Sequence, residues 1–166
     1  EEEKTTDIRY ELWVNNKRVA KKTFFCGMRT AEFKLMEAEC YYHSGEKVKA
    51  LRSINDLRAH RIANYVDLTE NTLPALSEKE IIITDAEGNA LTPLMGTILS
   101  ERRKELFLEG DRFFELKRNG SPEFWTAYNG QKYTTKKYMY TFPIPAHDIL
   151  LVDGLQQNEG YTEISY

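Results

Sequence analysis

Cysteine, histidine and proline are scarce in this chain, and a membrane-length apolar run is missing altogether. Two cysteines, three histidines and five prolines are spread over 166 residues. The two thiols, Cys26 and Cys40, are read as free and buried. If 23–26 is extended and a helix begins near Thr30, Cys40 lies about 15 Å along that helix at 1.5 Å per residue, whereas a disulfide wants Cα atoms within about 7 Å. His43, His60 and His147 are dispersed without ligand spacing, so no metal site is expected. No stretch reaches the roughly 20 apolar residues that span a bilayer. A basic excess is lacking too: the net charge is −3 and the isoelectric point near 5.7, which gives no footprint for nucleic acid. The opening EEEKTTD, which lacks a methionine, does not read as a signal peptide. Such an opening reads as a cut or processed start, with an upstream part outside this chain. Nucleophile elbow, P-loop and dinucleotide fingerprint are all absent, so no cofactor is expected.

What is present is an ordinary globular composition, 41% hydrophobic and 30% charged, long enough for a single domain over residues 1–166. The most informative stretch is ILSERRKELFLEGDRFFELKR, residues 98–118. At about 100° per residue its apolar stripe comprises Met95, Ile98, Leu99 and Leu106. Arg102 and Glu109 fall inside that stripe and Glu105 lies at its margin. A surface helix keeps its charges on the far face, so these groups must satisfy one another if they are inward. Arg102 reaches Glu105 at i+3, and Glu105 is one turn from Glu109. Gly110 interrupts the helix and Asp111 is placed to cap a second segment, Arg112–Lys117. The expectation is a helix–break–helix element with a structural network of Arg102, Glu105, Glu109 and Arg112.

Around it, Arg9–Val14 and Arg18–Phe25, separated by Asn15-Asn16-Lys17, predict a β-hairpin. Arg29–Ser44 predicts a helix with Ala31, Leu35, Ala38 and Tyr42 on one stripe, ended by Gly45. A second helix, about Glu46 to Arg61, places Val48, Leu51, Ile54, Arg58 and Ile62 near one face. The pair has the size of one tetratricopeptide unit. Residues 63–93 form a long insertion, in which Glu80–Thr84 predicts a strand turned by Asp85–Asn89 into Ala90–Thr92. After Asn119-Gly120-Ser121-Pro122 comes an aromatic-rich segment, then Pro143-Ile144-Pro145, which enforces an extended chain, and a short turn over 147–152.

Four segments in order, RTAEFKLMEAECYYHSGEKVKALRSINDLR, ERRKELFLEGDRFFELKR, FPIPAHDI and LQQNEGY, together resemble the carboxy-terminal portion of SusD/RagB-type nutrient-binding lipoproteins. The match spans about Asp7 to Tyr161. Arg29, Ala31, Glu32, Leu35, Ala38, Glu39 and Gly45 match the helix pattern. Glu101, Arg102, Glu105, Leu106, Glu109, Gly110, Arg112, Leu116 and Arg118 match the central motif. Pro143, Pro145, Gln157, Asn158, Gly160 and Tyr161 match the closing one. Glu115 stands where that family usually shows Asp, and Phe113-Phe114 where a Trp is common. The resemblance implies a mostly α fold of tetratricopeptide-like helical hairpins with a few short β-hairpins and long loops. It implies noncatalytic capture of glycans or other oligomeric nutrients on the cell-surface side of the outer membrane, in partnership with a SusC-type TonB-dependent transporter. Any membrane attachment would come through an upstream lipid anchor, because neither Cys26 nor Cys40 resembles a lipobox.

For ligand contact, the candidates are Trp125 with Tyr128 and Asn129, and Trp13. Sugar rings present apolar C–H faces that stack on such rings, while amides bond the hydroxyls; the alternative is that the rings pack a core or an interface. Glu101, Glu105 and Glu109 admit a hydrolase reading, but no histidine lies near them to build a helical di-metal site. The Asp85–Asn89 turn fails as a calcium loop because its twelfth position is Gly96. The competing functional reading is a helical-repeat interaction module that binds a peptide or protein partner.

Overall fold

The computed structural model describes residues 6–13 and 27–161. Within them the chain is mostly α-helical: α1 (Ile8–Trp13), α2 (Thr30–His43), α3 (Lys47–Ala59), α4 (Pro93–Glu105), α5 (Asp111–Arg118) and α6 (Ala146–Leu151). A two-stranded antiparallel hairpin, β1 (Phe124–Tyr128) and β2 (Gln131–Thr135), and a 3-10 turn at Lys137–Tyr140 lie between α5 and α6.

Helices α2 and α3 form the expected hairpin. The link closes with a Schellman pattern: Glu46 N–H donates to Tyr41 O at 2.8 Å and Gly45 N–H to Tyr42 O at 3.0 Å. Ala38 and Ala50 are fully buried beside Leu35 and Ile54, small residues that let the helix backbones approach closely. Helix α4 covers this pair with Met95, Ile98 and Leu99. It starts where Thr92 Oγ1 accepts the Met95 N–H and Pro93 occupies the first turn. Helix α1 is held against the chain that leaves α3: Ile8 N–H donates to Arg61 O and Ala63 N–H to Thr6 O. That short pairing fixes Arg9 and Arg61 on the same side of α4.

Several expectations need correction. Arg9–Trp13, expected as a strand, belongs to helix α1, and the second arm, Arg18–Phe25, lies outside the described residues. Glu80–Thr84 makes no strand; only a bridge joins Thr84 to Ala90, because buried Asp85 organises the turn by accepting the Glu87 and Asn89 N–H groups. Val48 is exposed, so the buried face of α3 is carried by Ala50, Ile54, Leu57 and Arg58. Cys40 is an exposed free thiol, on the side of α2 opposite Leu35, and Cys26 lies outside the described residues. Helix α4 ends at Glu105, five residues before Gly110; Leu108 adopts φ +61°, which breaks the helix earlier than the glycine alone implies.

The closing segment is tied down by side chains. Between Pro143 and Pro145 only Ile144 has a backbone N–H. Gln157 reads both of its groups, accepting from Ile144 N–H and donating to Ile144 O, each at 2.8 Å. Asn158 Nδ2 donates to Phe142 O at 2.7 Å.

Candidate functional site

The two acids of α4, Glu101 and Glu105, face inward and meet cations from three other places in the chain. Glu101, with no exposed surface, accepts from Arg9 Nη2 at 2.7 Å, from Lys104 Nζ at 2.5 Å and from Arg58 Nη1. One turn on, Glu105 accepts from Arg29 Nη1 at 2.9 Å, from Arg61 Nε and Nη2 at 3.0 Å each, and from Arg9 Nη1 at 3.3 Å. In the break after α4, Glu109 takes Arg29 Nε and Nη2 at 3.0 and 2.8 Å. Asp7 pairs with Arg9 from the side.

Arg102 departs from the sequence expectation. Its guanidinium reaches forward over the break to Asp111, at 3.0 and 2.5 Å, and approaches Glu32 at 3.5 Å. Asp111 therefore serves as the partner of Arg102 and makes no side-chain cap; the residue before α5 is Gly110, at φ +79°. Arg112 pairs with Glu115 at 2.5 Å. Arg118 clamps Glu39 of α2 with two hydrogen bonds, at 2.6 and 3.0 Å.

These surroundings set the acidities. Burial alone would raise the Glu105 carboxyl, but hydrogen bonds from Arg61 and Arg29 overcome it and hold the group at about 2. Burial likewise opposes ionisation of Glu101, and Lys104, Arg9 and Arg58 reverse that effect and lower it. A general acid needs a raised carboxyl within reach of substrate. Glu115 is raised, by burial that Arg112 only partly offsets, yet it is 2% exposed and has no access to a ligand. The arrangement suits a scaffold.

Beside Glu101 and Lys104 lies a cavity of about 870 Å³, between α4 and the 68–80 segment, with Leu68, Pro74, Leu76 and Gly96 among its walls. Its polar lining includes Asp7, Arg58, Glu101 and Lys104, which are engaged in ion pairs, together with Glu80, Thr72, Ser77, Thr97 and Ser100.

The aromatic candidates stand on the hairpin. Asn129 and Gly130, at φ +49° and +76°, form the two-residue turn between Tyr128 and Gln131, a turn chemistry that asks for Asn-Gly. Trp125 is 60% exposed and Tyr128 68%. Side chains alternate along a strand, and the register pairs Trp125 with Thr134 and Tyr128 with Gln131. The indole thus shares a face with Ala127, Lys132 and Thr134, and the Tyr128 phenol shares the opposite face with Thr126 and Tyr133. Lys132 Nζ stands 5.2 Å from the Trp125 ring centroid. Trp125 and Tyr128 are not brought together, and Asn129 serves the turn. Trp13 ends α1, and its side chain lies outside the described part. Further along, Phe142 stacks on Phe113, which stacks in turn on buried Tyr140.

One grouping escaped the sequence analysis. The end of α2 and the 85–89 turn bring His43, Asp85 and Glu87 together, each offering one ligand atom within 4.8 Å of the others. Forty-two residues separate His43 from Asp85, and no spacing rule connects them.

The fold is similar to that of a SusD-like protein from Bacteroides fragilis NCTC 9343, with a TM-score of 0.50 and 21% identity over 90% of this chain. The chain spans 29% of the length of that structure. No curated protein matches the chain. The SusD family model matches residues 4–161, which takes in α1, the α2–α3 hairpin, the charged α4–α5 element and the closing Gln157-Asn158 latch. The chain belongs to the SusD family.

Proposed function

We propose that this chain is the carboxy-terminal portion of a noncatalytic binding protein that captures glycans or other oligomeric nutrients at the cell surface. It delivers them to a SusC-type TonB-dependent transporter in the outer membrane. Membership of the SusD family supports the nutrient-binding reading, and the acids of α4, all engaged by arginine or lysine, support the absence of chemistry. The observation that carries it for this chain is the exposed Trp125, whose neighbours on the hairpin face are the small Ala127 and the polar Thr134 and Lys132. A sugar ring stacks on such an indole while its hydroxyls reach the ammonium and hydroxyl groups beside it.

The experiment is a glycan array on the 166-residue chain and on a longer protein that includes any upstream part, followed by titration of the best oligosaccharide into the wild type and Trp125→Ala. Binding weakened by the substitution supports the reading; unchanged titration removes Trp125 from the site. Co-purification with a TonB-dependent transporter tests the partnership.

A second reading is favoured by the outer face of α2. Phe33, Met36 and Cys40 are exposed and recur at i, i+3 and i+7, opposite the buried Ala31–Leu35–Ala38 stripe. A helix apolar on both sides suits burial against another helix, as in an interaction module for a peptide or protein. Loss of a protein partner in Phe33→Glu, with glycan binding intact, would favour it.

A further inference from the structure

We propose that His43, Asp85 and Glu87 form a site for one divalent transition-metal cation of the zinc class, which staples the end of α2 to the 85–89 turn. The separation of His43 from Glu87 fits. His43 Nδ1 stands 3.4 Å from Glu87 Oε1, and two ligands sharing a tetrahedral cation at about 2.0–2.1 Å lie about 3.3 Å apart. The three ligand atoms fall within 4.8 Å of one another.

Asp85 supplies an independent reason. It is 2% exposed, and among the described residues no lysine or arginine pairs with it. Its Oδ1 accepts the Glu87 and Asn89 N–H groups at 3.0 and 2.8 Å, which fixes the carboxylate and leaves Oδ2 to a further partner. An ionised carboxylate buried without a counter-charge is costly; every other buried acid named above has an arginine. A divalent cation supplies the missing charge.

His43 is oriented for the role. Its Nε2 is buried without a hydrogen bond and lies 3.9 Å from Glu39 Oε1. Metal-bound imidazoles commonly present their second N–H to a carboxylate, which fixes the tautomer that directs the other nitrogen to the metal. Here that leaves Nδ1 facing Glu87. Glu39, itself clamped by Arg118, is the carboxylate on that side of the ring, 3.9 Å away. The last turn of α2, where His43 sits, also favours positive charge. One imidazole nitrogen with two carboxylates and an open fourth position suits zinc-like ions, whereas calcium prefers six to eight oxygens.

The test is equilibrium dialysis of the metal-free 166-residue chain against zinc chloride, with the metal counted per chain, and thermal unfolding with and without zinc. The expected result is one zinc per chain and a raised Tm. Affinity falls at least about tenfold in Glu87→Gln and in His43→Gln, with no change in His60→Gln. Because the Glu87 side chain is mostly exposed, Glu87→Gln keeps the proposal falsifiable even if His43→Gln fails to fold. Absence of stoichiometric uptake, uptake indifferent to Glu87→Gln, or a preference for calcium over zinc would each overturn it.

Discussion

Arg29 and Glu105 are separated by 76 residues, yet Arg29 binds both the side chain and the backbone of Glu105, at 2.9 Å each. The same guanidinium holds Glu109. The residue that opens α2 therefore closes α4, satisfying a carbonyl that a helix end would otherwise leave without a partner. Arg29 gives α2 no side-chain cap, since a guanidinium has no acceptor to offer the first-turn N–H groups.

Removal of Glu105 is expected to leave Arg9, Arg29 and Arg61 without their shared carboxylate. Breaking a buried pair costs about 3–5 kcal/mol, so Glu105→Ala should unfold at much lower urea concentration than the wild type. Arg102→Ala should lose a similar amount, since it strands Asp111. A loss under about 0.5 kcal/mol in either variant would show the charges to be solvated.

Acid should weaken the fold in a defined window. Glu105 is held at about 2, below its ordinary 4.5, so the native state favours its ionised form. Its contribution is complete above about pH 4.5 and lost as the pH falls towards 2, amounting to about 3 kcal/mol. Glu101 and Asp7 are lowered as well and act in the same direction. Urea denaturation at several pH values between 2 and 5 measures the slope; a flat profile would contradict the assignment.

Glu115 is expected to behave in the opposite sense. Its carboxyl is raised, mainly by burial, and its Oε1 has no hydrogen-bond partner. The native state favours the protonated form, so this group's contribution is present at low pH and lost as pH rises through its native value. Glu115→Gln should leave stability at neutral pH unchanged or raise it, in contrast to Glu105→Gln. Destabilisation by more than about 1 kcal/mol would mean that the Arg112 pair outweighs the burial.

At Gly160, φ is +87° and an added Cβ would stand 2.3 Å from Tyr138 Cγ. Gly160→Ala should strain the backbone and push the Tyr138 ring off Tyr161, its edge-on neighbour at 4.9 Å. A cost of about 1–3 kcal/mol is expected, read as a lower Tm. An unshifted Tm would show that the closing segment carries no stability.

Helix periodicity made the α2–α3 hairpin and the inward phase of Arg102 and Glu105 legible, because a 3.6-residue repeat is a local property. The partners of those charges were not legible. Arg9, Arg29, Arg58 and Arg61 reach α4 through tertiary packing, and within one helix Arg102 had only Glu105 in view. The early end of α4 was missed because Leu108 adopts a left-handed conformation that its residue type disfavours. The β1–β2 hairpin carried a usable signal in Asn129-Gly130, overshadowed by the aromatic density around it. Once the strands are placed, alternation alone separates Trp125 from Tyr128. The approach of His43 to Asp85 had no local trace.

The ionic centre of this molecule also bears on heat. Hydration of ions becomes less favourable as temperature rises, so sequestering Glu101 and its arginines grows cheaper on warming, while the gain from burying hydrocarbon levels off. Near the melting point, the electrostatic seam between α1, α3 and α4 should resist longer, in relative terms, than the oily contact between Leu35 and Ile54.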